Sequence, residues 1–81
     1  MREMEFKMER AGQLVVGQEV TVSEGMLPTS YYYTINPSLA MSKNFELRDR
    51  LYVTEGVVKS IEERSGGYYV MVEFDEKVLD N

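Results

Sequence analysis

The sequence predicts an all-β protein: a small five- to six-stranded barrel or strongly curled antiparallel sheet, with at most one short helical turn. Three observations predict it. Apolar residues recur at every second position along much of the 81-residue chain, which is the period of a half-buried strand. β-Branched and aromatic residues gather in runs bounded by Gly, Pro, Asn and Ser. Helical spacing surfaces only briefly. Five or six short strands in so small a protein cannot leave long edges exposed, so the sheet is expected to curl toward closure. The chain reads as one domain, 1–81, with 76–81 an acidic tail that frays.

Met4, Phe6 and Met8 alternate with Glu3, Glu5, Lys7 and Glu9, placing three apolar side chains on one face of a first strand. A short helix competes for this segment, because Met, Glu, Lys and Arg are good helix formers and Met4, Met8 and Ala11 lie at helical spacing. Leu14 to Val22 is β-branched and reads as a second strand bent at Gly17. Ser23 to Ser30 is rich in turn residues and reads as a connecting loop, with Met26 and Leu27 folding back over the core. Tyr31 to Ile35 is a third strand, with Tyr31, Tyr33 and Ile35 sharing a face, ended by Asn36-Pro37. One helical turn is expected near Ser38 to Lys43, with Pro37 in its first position. Phe45, Leu47, Leu51 and Val53 keep an apolar face around a polar Arg48-Asp49-Arg50 turn or bulge. The clearest unit is a hairpin, Gly56 to Arg64 and Tyr68 to Phe74, joined by Ser65-Gly66-Gly67.

The composition removes several kinds of chemistry. Without cysteine there is no disulfide framework, thiolate zinc site or iron–sulfur site, and without histidine the commonest metal ligand and general base is missing. The serines have no imidazole to activate them, and Ser65-Gly66-Gly67 joins strand to strand, unlike a phosphate-binding loop. A non-enzyme with no catalytic residue, metal or cofactor is expected. No apolar run approaches the roughly 20 residues that span a bilayer, and no signal-peptide core appears at the N-terminus. A cytoplasmic location is the expectation for such a cysteine-free chain.

Leu51 to Ile61, followed by a turn and Tyr69 to Glu73, resembles the glycine-centred strand-turn-strand of small Src-homology-type barrels, including the KOW motif of RNA- and transcription-associated proteins. Val15 to Val22 is similar to the first strand of such barrels. The resemblance implies a small barrel with Gly56 as the motif glycine. The basic first loop of the nucleic-acid-binding members is missing, since Glu24-Gly25-Met26-Leu27-Pro28 holds no cation. Gly56 to Phe74 is also similar to the last hairpin of PilZ domains, which bind a cyclic dinucleotide, although that family's arginine motif and Asp/Asn-x-Ser-x-x-Gly motif do not appear in place.

Six tyrosines offer either a stacking platform or simply core and rim filling, and the adjacent ones must split between faces. Tyr32, Tyr52 and Tyr69 are the candidates for an exposed binding surface. Arg48, Arg50 and Lys59 are candidates for contacts to an anionic partner, but Glu46, Asp49, Glu55, Glu62 and Glu63 are interleaved with the local cations, which predicts cross-strand ion pairs on a solvated face. The formal charge of −5 gives a long-range field of the wrong sign for nucleic acid. Glu73, Asp75, Glu76 and Asp80 lack calcium-loop spacing and read as a solubilising terminus. The leading functional expectation is an interaction module that binds a protein or peptide, or a second copy of itself, along an exposed strand edge or a tyrosine-bearing face. The alternatives are a KOW-like RNA or DNA binder using Arg48, Arg50, Lys59 and Tyr52, and a cyclic-dinucleotide receptor.

Overall fold

The computed structural model of the chain describes residues 1–76. Six strands, β1 (Arg2–Met8), β2 (Glu19–Met26), β3 (Tyr31–Ile35), β4 (Ala40–Ser42), β5 (Glu55–Arg64) and β6 (Gly67–Phe74), close into an antiparallel barrel in the order β1-β4-β3-β2-β5-β6. A single 3-10 turn, Leu47–Asp49, lies between β4 and β5. No helix among the described residues is long and apolar enough to cross a membrane.

Period-two alternation builds the interior. Met4, Phe6 and Met8 of β1 face Val70, Val72 and Phe74 of β6, in register through Met4↔Val72 and Phe6↔Val70. Val20, Val22, Tyr33, Ile35, Ala40 and Val58 complete the strand contribution, and Leu14 and Leu51 enter from loops. The rings of Phe6 and Phe74 meet tilted at 6.3 Å. Truncating either ring to Ala would cost about 3–5 kcal/mol, a large share of what so small a core supplies. The β5–β6 hairpin turns through Ser65 and Gly66, whose φ of 94° suits glycine, and Arg64 pairs with Gly67.

Four local expectations are corrected. Residues 14–18 are not strand: Gln18 N–H bonds back to the Val15 carbonyl at 3.1 Å and Gly17 adopts φ 91°, so the chain turns before β2 begins at Glu19. Only Leu14 of that apolar group is buried, and Val15 and Val16 face solvent. The polar stretch Ser23 to Met26, expected to be loop, continues β2, because β3 supplies partners from Val22↔Ile35 to Met26↔Tyr31. Pairing outweighs turn composition here, and Met26, 74% exposed, does not fold over the core. The helical turn falls at Leu47–Asp49 and not at Ser38 to Lys43, where Ala40 enters the core and β4 forms. That turn takes Leu47 off the period-two line and into solvent, while Leu51 is buried beyond it. Of the tail expected to fray, residues 77–81 lie outside the described residues, and Glu76 is held by the hydrogen bonds given below.

Gly56 is buried where β5 passes between β2 and β6. A Cβ there would stand 2.7 Å from Val72 Cγ1 and 2.9 Å from both the Glu73 carbonyl oxygen and Phe74 Cδ1. Two of these atoms belong to the backbone or to a packed ring, so they have little freedom to yield. Gly56→Ala is therefore expected to lower stability by about 1–3 kcal/mol, read as a lower urea midpoint with unchanged slope; an unaltered midpoint would refute this close approach.

Candidate functional site

The two edges of β1 differ sharply. Toward β6 it pairs at every residue from Arg2↔Phe74 to Met8↔Tyr68. Toward β4 it pairs only at Phe6↔Ser42 and Lys7↔Met41. The reason is local: β4 is three residues long, and the chain leaves it at Lys43 to pair Phe45 with Tyr31 instead. Arg2 to Glu5 thus have no strand partner on this side among the described residues. Alternate residues of this stretch direct their N–H and C=O groups away from β6.

A groove of about 560 Å³ follows this edge. Its β1 wall is Glu3, Met4, Glu5 and Lys7, its opposite wall is Met41, Ser42, Lys43 and Phe45, and Tyr69 of β6 contributes from beyond β1. Met4 is buried at its base, whereas Met41 is 51% exposed. Lys43 Nζ stands 5.4 Å from the centre of the Phe45 ring. The volume falls in the range of about 300–1,000 Å³ that accommodates ligands.

One end of the groove is closed by side chains. Arg2 lies 5.7 Å from the Phe45 ring centre and donates to the Arg50 carbonyl (3.1 Å), to the Asp49 carbonyl and to Glu76 Oε2 (3.1 Å). Glu76 Oε1 accepts the Tyr52 and Val53 N–H groups at 2.6 and 2.9 Å. Burial pushes the Glu76 carboxyl up, but these two N–H bonds and the Arg2 guanidinium outweigh it and hold the group below the usual carboxylate range. Beside this clasp, Tyr33 accepts the Leu51 N–H at 2.7 Å and donates to Glu24 Oε2 at 2.9 Å. Glu24 in turn grips Arg50 through two bonds of 2.8 and 2.9 Å, and the Arg50 bond is the main reason its carboxyl lies below the usual range. Burial pushes the Tyr33 hydroxyl up to about 12. Together these bonds fasten residues 49–53, which belong to no strand, to the end of the barrel.

The residues singled out in the sequence do not form one surface. Tyr32 lies on its cross-strand partner Gly25, its ring where a Cβ of that glycine would be. Tyr69 sits under Arg64, 4.4 Å from ring centre to guanidinium, and reaches the groove. Tyr52, 68% exposed, is the one fully exposed tyrosine among the described residues, so the adjacent pairs do not leave a shared outer patch. Arg50 and Tyr52 do come together, at 5.9 Å, with Tyr31 on Arg50 at 4.8 Å. Arg48 pairs with Glu46 at 3.2 Å, Arg50 with Glu24 and Lys59 with Glu73 at 3.7 Å. Of the interleaved carboxylates only Glu46 and Glu62 pair with these cations or their neighbour Arg64, whereas Arg50 and Lys59 take Glu24 and Glu73 from other strands.

Sequence reasoning missed Glu3, Lys7, Met41, Lys43 and Phe45 as groove residues. No local pattern marks them, because the groove arises from the shortness of β4, which spans only Ala40–Ser42. A second hollow, lined by Glu19, Glu55, Glu73 and Asp75, is acidic. Among the described residues no set of carboxylates is arranged to hold a metal ion. Comparison with known proteins finds no matching family model, no similar curated protein and no similar solved structure.

Two measurements test the clasp. Tyr33→Phe leaves the buried Leu51 N–H without its acceptor and should cost about 1–2 kcal/mol. Because the folded state holds the Tyr33 proton up to about pH 12 against an ordinary value of 10, its contribution is whole below the ordinary value and fades as pH rises through 12. The variant should lose that part of the alkaline decline in a pH-dependent unfolding series. Glu76→Gln should cost a similar 1–2 kcal/mol, roughly, at neutral pH. It should also flatten the acid limb, since a lowered carboxylate contributes above its unfolded value and loses that contribution as pH falls through the folded one. Parallel pH profiles for variant and parent would contradict either assignment.

Proposed function

We propose that the chain is a non-catalytic interaction module that receives an extended segment of a protein partner against the open edge of β1. One observation carries this reading: β1 has backbone groups unpaired from Arg2 to Glu5 directly beside a groove of about 560 Å³. An incoming strand gains main-chain hydrogen bonds from the edge and side-chain contacts from Met41, Phe45 and Tyr69. Two further strand edges lack a strand partner among the described residues, β2 beyond Val22 and β5 beyond Val58; residues 50–54 lie beside the first, and the second is less suited. It bears a bulge between Val58 and Ser60, and the exposed Glu62, Glu63 and Arg64 follow, two devices that blunt strand edges. The carboxylate partners of Arg48, Arg50 and Lys59 weigh against a nucleic-acid reading, which needs several uncompensated cations.

Selection of random peptides displayed against the protein, followed by amide chemical-shift mapping, tests the proposal. Selected peptides should move the amides of Arg2 to Glu5 and Ser42 to Phe45. Met41→Glu should weaken them by about tenfold, whereas Tyr52→Ala leaves them unchanged. Shifts centred on Arg50 and Tyr52, or no enrichment, would reject the β1 edge.

A further inference from the structure

The segment from Glu46 to Thr54 leaves the barrel and returns to it between two fixed points. Phe45 exchanges two backbone bonds with Tyr31, at 2.6 and 2.8 Å, and Glu55 begins β5. Between these points no residue from Arg50 to Thr54 takes part in a strand pair. We infer that residues 50–54 are a releasable strap, fastened by side chains, that opens as one unit from the edge of β2 while the six-stranded barrel stays closed.

The manner of fastening carries this inference. The N–H groups of Leu51, Tyr52 and Val53 all bond to side-chain oxygens, the first to the Tyr33 hydroxyl and the other two to Glu76 Oε1. The carbonyls of Asp49 and Arg50 accept from Arg2, and Glu24 holds the Arg50 guanidinium. Backbone-to-backbone bonds occur only at the two ends of the strap: Arg50 N–H reaches the Leu47 carbonyl at 3.1 Å, and the Thr54 carbonyl accepts Val22 N–H at 2.8 Å. Leu51 is the one fully buried side chain of the strap, with Val53 half-buried and Tyr52 and Thr54 exposed. A segment with so little apolar burial and no ladder of its own opens before the strands that flank it.

The strap covers a strand edge. β2 pairs with β5 only from Glu19 to Thr21. Since Val22 N–H points to Thr54, the alternate residues Glu24 and Met26 direct their N–H and C=O groups to the same side. The strap lies along the start of this edge, where Val22, Glu24 and Tyr33 face residues 50–54 across a hollow of about 190 Å³. Covering an edge with a loop blocks pairing to it, so opening the strap bares the backbone of β2 from Val22 onward. Glu76 is the latch: one carboxylate holds two strap N–H groups and Arg2, which itself grips two strap-end carbonyls. Its loss unfastens the strap without breaking any strand pair.

Native-state hydrogen exchange over a series of sub-denaturing urea concentrations tests the strap in the unmodified protein. The amides of Leu51, Tyr52 and Val53 should share one opening constant, about tenfold or more above that of Val70 and Val72 and almost independent of urea, because opening the strap exposes little surface. Glu76→Gln should raise the shared constant about tenfold and leave it independent of urea. If the three amides follow the urea dependence of Val70 and Val72, the strap leaves only when the barrel unfolds and the inference fails. Three unequal constants would mean fraying residue by residue and would overturn the single unit. An opening constant unchanged in Glu76→Gln would overturn the latch.

Discussion

The structure depends on how a sheet closes when one of its strands is too short. β4 contributes two pairs to β1, where β6 contributes seven. The remaining distance is bridged by side chains: Arg2 against Phe45, Glu76 and two carbonyls, and Glu76 against two backbone N–H groups. Hydrogen bonds to charged groups are worth about 1.5–3 kcal/mol each, so a partly buried clasp of this kind can close a barrel end that the ladder leaves open. The clasp holds the end of the groove. The edge between the clasp and Phe6 stays unpaired.

Charge is distributed to the same effect. Arg48, Arg50, Lys59 and Arg64 are each engaged by a carboxylate, and exposed pairs of this sort add only about 0–1 kcal/mol apiece. Their consequence is mainly that little cationic surface is left to track a phosphate backbone. Lys7, Arg10 and Lys43 have no ion-pair partner among the described residues, and Lys7 and Lys43 line the groove. Arg50 illustrates the difference between exposure and availability. Its guanidinium lies over two tyrosine rings, yet Glu24 and the hydroxyl of Tyr33 fix it as part of the barrel end.

Much of the fold was legible because alternation survives wherever a strand is buried on one face. β1, β3 and the β5–β6 hairpin follow directly from Met4, Phe6 and Met8, from Tyr33 and Ile35, and from Val70, Val72 and Phe74. The errors lie where tertiary pairing overrode local composition. Ser23 to Met26 is strand because β3 is beside it, and Leu14 to Gln18 turns because Gly17 adopts a positive φ that apolar neighbours do not reveal. The candidate site was barely legible. A groove created by the shortness of β4 is a property of three separate segments, and neither Lys43 nor Glu3 carries any local mark of lying on it. Tyr69 was legible as a strand residue facing outward, but its place under Arg64 was not.

The unpaired β1 edge is the claim on which the rest turns, and hydrogen exchange of single backbone amides measures it most directly. Between Arg2 and Glu5 the amides directed at β6 should be protected together with those of Phe6 and Lys7, while the alternate amides directed at the groove exchange at close to the rate of an open chain. Uniform protection across Arg2 to Lys7 would mean that both edges are paired, and would contradict the account.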